Sequence, residues 1–121
     1  MVRPTDWKLF AEKGDSRKGW EYDIPDDYHG AACYIFGLRG KGERIIRTVR
    51  VGSTNHFNVR IKDHGYYDAT TSERISKSTS NGYQVFVRYF KTKTLAEARR
   101  TEKKFLRQWW KYPWNKSGMP Y

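Results

Sequence analysis

The chain has 121 residues, of which 37% are hydrophobic and 17% aromatic, and this size and composition suit one domain with a single modest core. No apolar run approaches the roughly 18 residues of a membrane span, and the N-terminus lacks the apolar centre of a signal peptide. We therefore expect a cytoplasmic protein that is neither secreted nor embedded in a membrane. Cys33 is the only cysteine, which excludes an internal disulfide and a cysteine-based zinc cluster.

The net charge of +11 is concentrated in the later part of the chain. Residues 1–30 carry five Lys and Arg against seven Asp and Glu, whereas residues 31–121 carry nineteen against six. A basic body with many interleaved aromatic residues predicts a polyanionic partner. Nucleic acid is favoured because cations bind its phosphates and aromatic rings stack on its bases. The basic residues form no amphipathic surface helix, so we expect no membrane partner.

The first 30 residues differ in character from the rest of the chain. They mix glycine, proline and acidic residues with isolated aromatic anchors, which predicts an irregular arm over residues 1–30 that packs on the domain, with one helical turn near residues 7–12. Residues 31–38 and 44–51 are apolar or β-branched and flank a glycine-rich turn. This pattern predicts a hairpin of two strands.

Side-chain alternation then assigns residues to faces. Period-two counting places Tyr34 on one face of the first strand and Arg50 on one face of the second. The turn after the second strand, with several residues suited to N-capping, predicts a short helix over residues 56–65. Arg60 and His64 are four residues apart, so a cation and an imidazole lie on one side of that helix.

The remaining elements alternate in type. Residues 68–77 predict a weakly packed helix, and residues 83–90 form the clearest strand pattern in the sequence. A long helix is predicted over residues 95–109, and Thr94 and Glu97 have the spacing of a capping box that begins it. The order of elements predicts an α/β (α+β) domain with a three-stranded antiparallel sheet flanked by helices.

One residue of the long helix conflicts with its position. Glu102 occupies a place in the apolar stripe formed by Leu95, Ala98, Phe105 and Trp109. An ionised carboxylate on an apolar stripe needs a cation, a metal or several donors. A Glu at the edge of the stripe that reaches water or pairs with an arginine is the alternative.

Several short motifs in sequence order resemble those of the GIY-YIG nuclease family, over roughly residues 31–118. They are Ala32-Cys33-Tyr34 in place of Gly-Ile-Tyr, Arg50-Val51-Gly52 in place of Tyr-Ile-Gly, Arg60 and His64 at the family's spacing after Gly52, the pair Ala98 and Glu102, and Asn115 before Lys116. The resemblance implies a nuclease domain over residues 31–121. Its main departure is Arg50, which replaces the second motif tyrosine.

The resemblance implies a metal-dependent endonuclease that hydrolyses phosphodiester bonds, with DNA as the expected substrate. Glu102 is then the ligand of Mg²⁺, with Mn²⁺ as an alternative. Arg60 binds the scissile phosphate. Tyr34 is the general base, directly or through His64, and its pKa must then fall from about 10. Asn115 completes the set of catalytic residues.

Arg50 has two interpretations. Close to Tyr34, its charge would favour the tyrosinate or bind the phosphate beside Arg60. Alternatively, Arg50 marks a catalytically inactive nucleic-acid-binding module that keeps the fold. A basic RNA-associated protein is a third interpretation that rests on charge alone.

Other residues are expected to contact nucleic acid without taking part in the chemistry. These candidates are Lys41, Arg44, His56, Lys62, Arg99, Lys103 and Trp110. Ser53 has no Ser-His-Asp context and is interpreted as a turn and cap residue. The oligomeric state is left open between a monomer and a weak dimer. A protein partner that supplies sequence specificity is also left open.

Overall fold

The computed structural model describes residues 4–13, 28–66 and 69–115, without the side chains of residues 62–66, 69 and 70. The strands are β1 (Lys8–Ala11), β2 (Ala32–Arg39), β3 (Arg47–Thr54) and β4 (Gln84–Lys91), and the helices are α1 (Phe57–Tyr66), α2 (Ala69–Ser80) and α3 (Leu95–Leu106). Two 3-10 turns, Trp109–Lys111 and Pro113–Asn115, come after α3. Among the helices of these ranges, none has the length and apolar character needed to cross a membrane.

The strands form one antiparallel sheet in the order β1-β4-β2-β3. The mixed α/β class and the hairpin of β2 and β3 are confirmed, but the prediction of three strands is wrong because β1 adds a fourth. The predicted helical turn near residues 7–12 is wrong for the same reason. Phe10 of β1 is fully buried, with its ring centroid 5.4 Å from that of Phe36. The edge of β4 supplies the backbone hydrogen-bond partners that hold these four residues as a strand.

Helices cover both faces of the sheet and create two cores. On the first face, α1 and α2 contribute Phe57, Ile61 and Ile75, which belong to the same buried cluster as Tyr34 and Phe36. On the second face, α3 packs over a smaller cluster. That cluster contains Cys33, Ile35, Val51 and Tyr112, with Phe90, Phe105 and Leu106 partly buried against it.

A β-bulge in β3 modifies the predicted alternation. The register between β2 and β3 shifts after the pair formed by Phe36 and Arg50. Val49 is the additional residue, and it is buried in the cluster that contains Tyr34. Alternation from Gly52, the partner of Tyr34, already places Arg50 on the Tyr34 face, and the bulge turns the next residue, Val49, toward the same face.

The long helix ends earlier than predicted. α3 stops at Leu106, and Gln108 has φ −111° and ψ 53°, which is outside the helical region. The chain turns there because Tyr112 and Trp114 are both buried against the sheet and must be brought back to it. Trp109 is 47% exposed, so its predicted place in the helical core stripe is wrong.

Candidate active site at the edge strand

β3 is an edge strand of the sheet, and its last half organises the candidate residues. Three consecutive backbone positions each hold one of the side chains singled out in the sequence. Val51 binds Asn115, Gly52 lies against Tyr34, and Ser53 binds Glu102. Residues that are far apart in the chain are therefore brought to one short segment of one strand.

The phenol ring of Tyr34 lies directly on Gly52, its cross-strand partner. A Cβ placed on Gly52 would lie 2.8 Å from Tyr34 Cε2 and closer still to Cζ and Oη. The backbone of Gly52 is not in the left-handed region, which among the described glycines is occupied by Gly42 and Gly82. Glycine is thus required at this position for space, because any side chain would collide with the ring.

Gly52→Ala is therefore expected to lower the free energy of unfolding by about 1–3 kcal/mol, as measured by chemical denaturation. The control is the same change in a Tyr34→Val protein, where the ring is absent. There the added methyl group should cost less than about 1 kcal/mol. An equal cost in both backgrounds would show that the ring contact is not the cause.

Two guanidinium groups meet the hydroxyl of Tyr34. Arg50 from β3 and Arg60 from α1 both form side-chain hydrogen bonds with it. Arg50 also donates from Nη1 to the carbonyl oxygen of Trp114 at 3.5 Å, while its Nε is buried without an acceptor among the described residues. The predicted proximity of Arg50 to Tyr34 is confirmed, and the regular pairing of Tyr34 with Gly52 and of Phe36 with Arg50 produces it.

The pKa of Tyr34 does not fall as the general-base role requires. Burial raises the pKa, and the positive charges of Arg50 and Arg60 lower it by less, so the net change is upward. The expected decrease is therefore wrong for the free protein, because the side chain is only 1% exposed. At neutral pH the hydroxyl is protonated, with its oxygen able to accept from the arginines.

Glu102 lies on the other face of the sheet, where Ser53 Oγ donates to its Oε1 at 2.8 Å. Cys33, the cross-strand partner of Ser53, is fully buried. Burial and the negative charge of Glu102 together raise the pKa of the Cys33 thiol to about 12, so this neighbour is neutral. Within the described ranges a hydroxyl, and not an arginine, compensates the carboxylate on the apolar stripe.

The donors near Glu102 fit a hard divalent cation. No group of three His, Cys, Asp or Glu side chains converges anywhere in residues 4–13, 28–61 and 71–115. Glu102 is a single, partly exposed carboxylate with the hydroxyl of Ser53 beside it. Such a set suits Mg²⁺ or Mn²⁺, which bind through one or two carboxylates and retain several waters, and it does not suit zinc.

Asn115 occupies the free edge of β3. Its Nδ2 donates to the carbonyl oxygen of Val51 at 2.7 Å, and its Oδ1 accepts from the amide of Val51 at 2.7 Å. The side chain pairs with the strand edge as a neighbouring strand would. Arg74 of α2 donates to the carbonyl oxygen of Trp114, which ties this turn to the first face.

Comparisons of the chain with models of protein families, with curated proteins and with solved structures found no match. Its resemblance to the GIY-YIG nucleases therefore rests on the short motifs and their spacing.

The structure does not bring every sequence candidate to this site. Lys41 and Arg44 are exposed in the hairpin loop at the far end of β2 and β3, about 15 Å along the strand from Gly52. His56 is exposed immediately after β3, and its amide donates to Thr54 Oγ1. His64 and Lys62 lie in α1, but their side chains fall outside the described part of the chain.

The candidates on and after α3 are at the surface. Arg99 and Lys103 are exposed on α3, and Trp110 is 62% exposed in the turn after this helix. The rings of Trp109 and Trp110 pack edge to face, with centroids 6.0 Å apart. This surface combines exposed cations with accessible aromatic rings.

Ser53 is the residue of the candidate site that the sequence interpretation missed. It lies inside β3, not in a turn, and it holds Glu102. Alternation along β3 is the signal that identifies it, since a residue next to Gly52 faces away from Tyr34 and toward α3.

Proposed function

We propose that this protein is a metal-dependent endonuclease that hydrolyses the phosphodiester bonds of DNA. The observation that carries the proposal is the edge of β3, where Asn115, Tyr34 and Glu102 are held by three consecutive residues, beside Arg50 and Arg60. The net charge of +11 supports a polyanionic substrate. The motif resemblance is the further support.

Each residue has a role that its position allows. Arg60 is partly exposed and offers a planar guanidinium that binds phosphate through two hydrogen bonds, and Arg50 adds a second positive charge beside it. Tyr34 lies between these two cations and holds or moves the proton of the attacking water. Asn115 and Gly52 are positioning residues, because they hold the strand edge and the ring of Tyr34.

Glu102 would hold Mg²⁺ or Mn²⁺ through the carboxylate oxygens that Ser53 orients. When bound, the cation supplies positive charge for the phosphate and for the departing oxygen. The backbone of the edge strand separates Glu102 from Tyr34 and the two arginines. A phosphodiester therefore has to lie across the edge of β3 to contact both the cation at Glu102 and the side chains of Tyr34 and the two arginines.

The test is cleavage of supercoiled plasmid and of labelled single-stranded DNA by the wild-type protein, in Mg²⁺, in Mn²⁺ and in EDTA. The Glu102→Gln protein, purified in parallel, controls for contaminating nucleases. We expect nicking that requires the metal, since one site cuts one strand and a double-strand break needs a dimer or two events. Failure to cut either DNA in any metal between pH 6 and 10 would exclude the endonuclease.

A second candidate is a nucleic-acid-binding module without catalytic activity. The raised pKa of Tyr34 and the replacement of the second motif tyrosine by Arg50 favour it. It predicts DNA binding in EDTA that is unaffected by Glu102→Gln, and no cleavage. The same plasmid assay, combined with a binding measurement, separates the two candidates.

A further inference from the structure

A groove with a volume of about 360 Å³ lies between the end of β4 and α3, along which its lining residues run from Glu97 to Phe105. We call it the α3 groove and define it by Phe90, Glu97, Arg100, Lys104 and Phe105. Its volume is within the roughly 300–1,000 Å³ of small-molecule sites in proteins. None of the residues assigned to the candidate active site lines it.

The floor of the α3 groove is aromatic. The rings of Phe90 and Phe105 are tilted by 47°, with centroids 5.6 Å apart, and both are partly buried against the second core. The ring of Phe105 is supported edge to face by buried Tyr112. These packed rings offer a fixed apolar surface on which a flat ring can stack.

The rim is cationic. Arg100 and Lys104 are exposed and four residues apart, so both project from the same side of α3. Within the described residues, neither has an ion-pair partner. Two cations that outnumber the one carboxylate of the groove, above an aromatic floor, match the charge and shape of a nucleotide, whose phosphate is anionic and whose base is flat and apolar on its faces.

Glu97 adds an acceptor to the groove. The predicted capping box is only half formed: Thr94 Oγ1 accepts from the amide of Glu97, but the carboxylate of Glu97 makes no hydrogen bond with a described residue. It lines the groove instead. A carboxylate accepts hydrogen bonds from the exocyclic amino group of cytosine, and it repels the carbonyl oxygen that thymine has at that place.

We propose that the α3 groove binds one unpaired nucleotide of the DNA substrate, with its base on Phe90 and Phe105 and its phosphate on Arg100 and Lys104. This inference rests on the proposed function and names its substrate class: DNA that carries an unpaired nucleotide. Glu97 favours bases with an amino group.

The position of the groove relates it to the edge of β3. In the sheet, β4 and β3 lie on opposite sides of β2. On the second face, α3 packs over these strands, with Ser53 of β3 on one side of the helix and Phe90 of β4 on the other.

The first experiment measures DNA affinity in EDTA, where no cutting occurs. Fluorescence anisotropy compares a duplex that contains one unpaired cytosine with the same duplex fully paired. The wild-type protein should bind the first about tenfold more tightly, as expected for stacking of one base. Arg100→Gln/Lys104→Gln should reduce this preference severalfold, because the two cations hold the phosphate of the nucleotide whose base enters the groove.

Arg99→Gln/Lys103→Gln is the matched control, since it removes the same charge from exposed positions of the same helix that do not line the groove. It should weaken binding to both DNAs by a similar factor and leave the preference intact. Equal effects of the two double variants on the preference would overturn the proposal while leaving DNA binding in place.

The second experiment tests the groove without a DNA chain. Millimolar dCMP should shift the backbone amide signals of Thr101 and Phe90 in a ¹H–¹⁵N spectrum, and dTMP should shift them less unless Glu97 is changed to Gln. Inorganic phosphate is the control probe. The same shifts with phosphate alone, or none with dCMP, would contradict a nucleotide site, whether or not the protein proves to be a nuclease.

Discussion

Replacement of Glu102 by glutamine is expected to reduce metal-dependent DNA cleavage by at least about 1,000-fold. Glutamine keeps the size of the side chain and can still accept the hydrogen bond from Ser53 Oγ, so the fold should be preserved. It loses the negative charge with which a divalent cation is held. DNA affinity in EDTA should be unchanged or slightly higher, because a carboxylate is removed from a basic surface.

Two further variants show whether the loss of cleavage is specific to the carboxylate of Glu102. Ser53→Ala removes the hydroxyl that orients the carboxylate at 2.8 Å, and it should reduce cleavage by about 10–100-fold, with part of the loss recovered at higher Mg²⁺ concentration. Glu73→Gln, an exposed change on α2, should leave cleavage within about twofold of wild type. Full activity of Glu102→Gln would remove the carboxylate from the proposed mechanism.

Tyr34→Phe is expected to reduce cleavage by about 10²–10⁴-fold and to change its dependence on pH. Burial raises the pKa of Tyr34, so the tyrosinate is a small fraction below that pKa and increases tenfold with each unit of pH. The wild-type rate should therefore rise continuously from pH 7 to 10. The Phe variant should lose this rise and still fold, because the ring still fills the core, although the loss of the acceptor for Arg50 and Arg60 should cost about 1–3 kcal/mol of stability.

Variants of Arg50 test whether its positive charge influences the pKa of Tyr34. Its positive charge lowers the pKa of Tyr34, so Arg50→Ala should move the rise in rate to higher pH and reduce the rate at pH 8. Arg50→Tyr introduces the second tyrosine of the GIY-YIG motifs without the charge, and it should show the same displacement. An unchanged pH profile in both variants would show that Arg50 has no influence on the proton of Tyr34.

The local elements of this protein are largely predictable from its sequence. Alternating and β-branched residues identify β2, β3 and β4, and the period of the apolar stripe together with Thr94 identifies the start of α3. These signals are local, since each depends on side chains a few residues apart. β1 is not predictable in this way because four residues have too little pattern, and because its strand conformation depends on the edge of β4.

The candidate site also combines features that are visible in the sequence with features that depend on tertiary contacts. The types and spacing of Tyr34, Arg60 and Glu102 single them out in the sequence. Nothing in that spacing shows that Gly52 must lack a side chain to admit the ring of Tyr34, or that Ser53 turns toward α3. Period-two counting also fails at Val49, because a bulge depends on how two strands pair and not on either strand alone.

The sequence by itself determined the mixed α/β class, the hairpin and the basic charge, because composition and periodicity are properties of the chain, and its short motifs supplied the candidate site residues through their resemblance to a known family. The tertiary structure alone decided that Tyr34 is buried and protonated, that Glu102 is compensated by a hydroxyl, and that a groove opens beside α3. Burial, hydrogen-bond partners and cavities arise only when distant segments pack together, and a pKa is set by that packing.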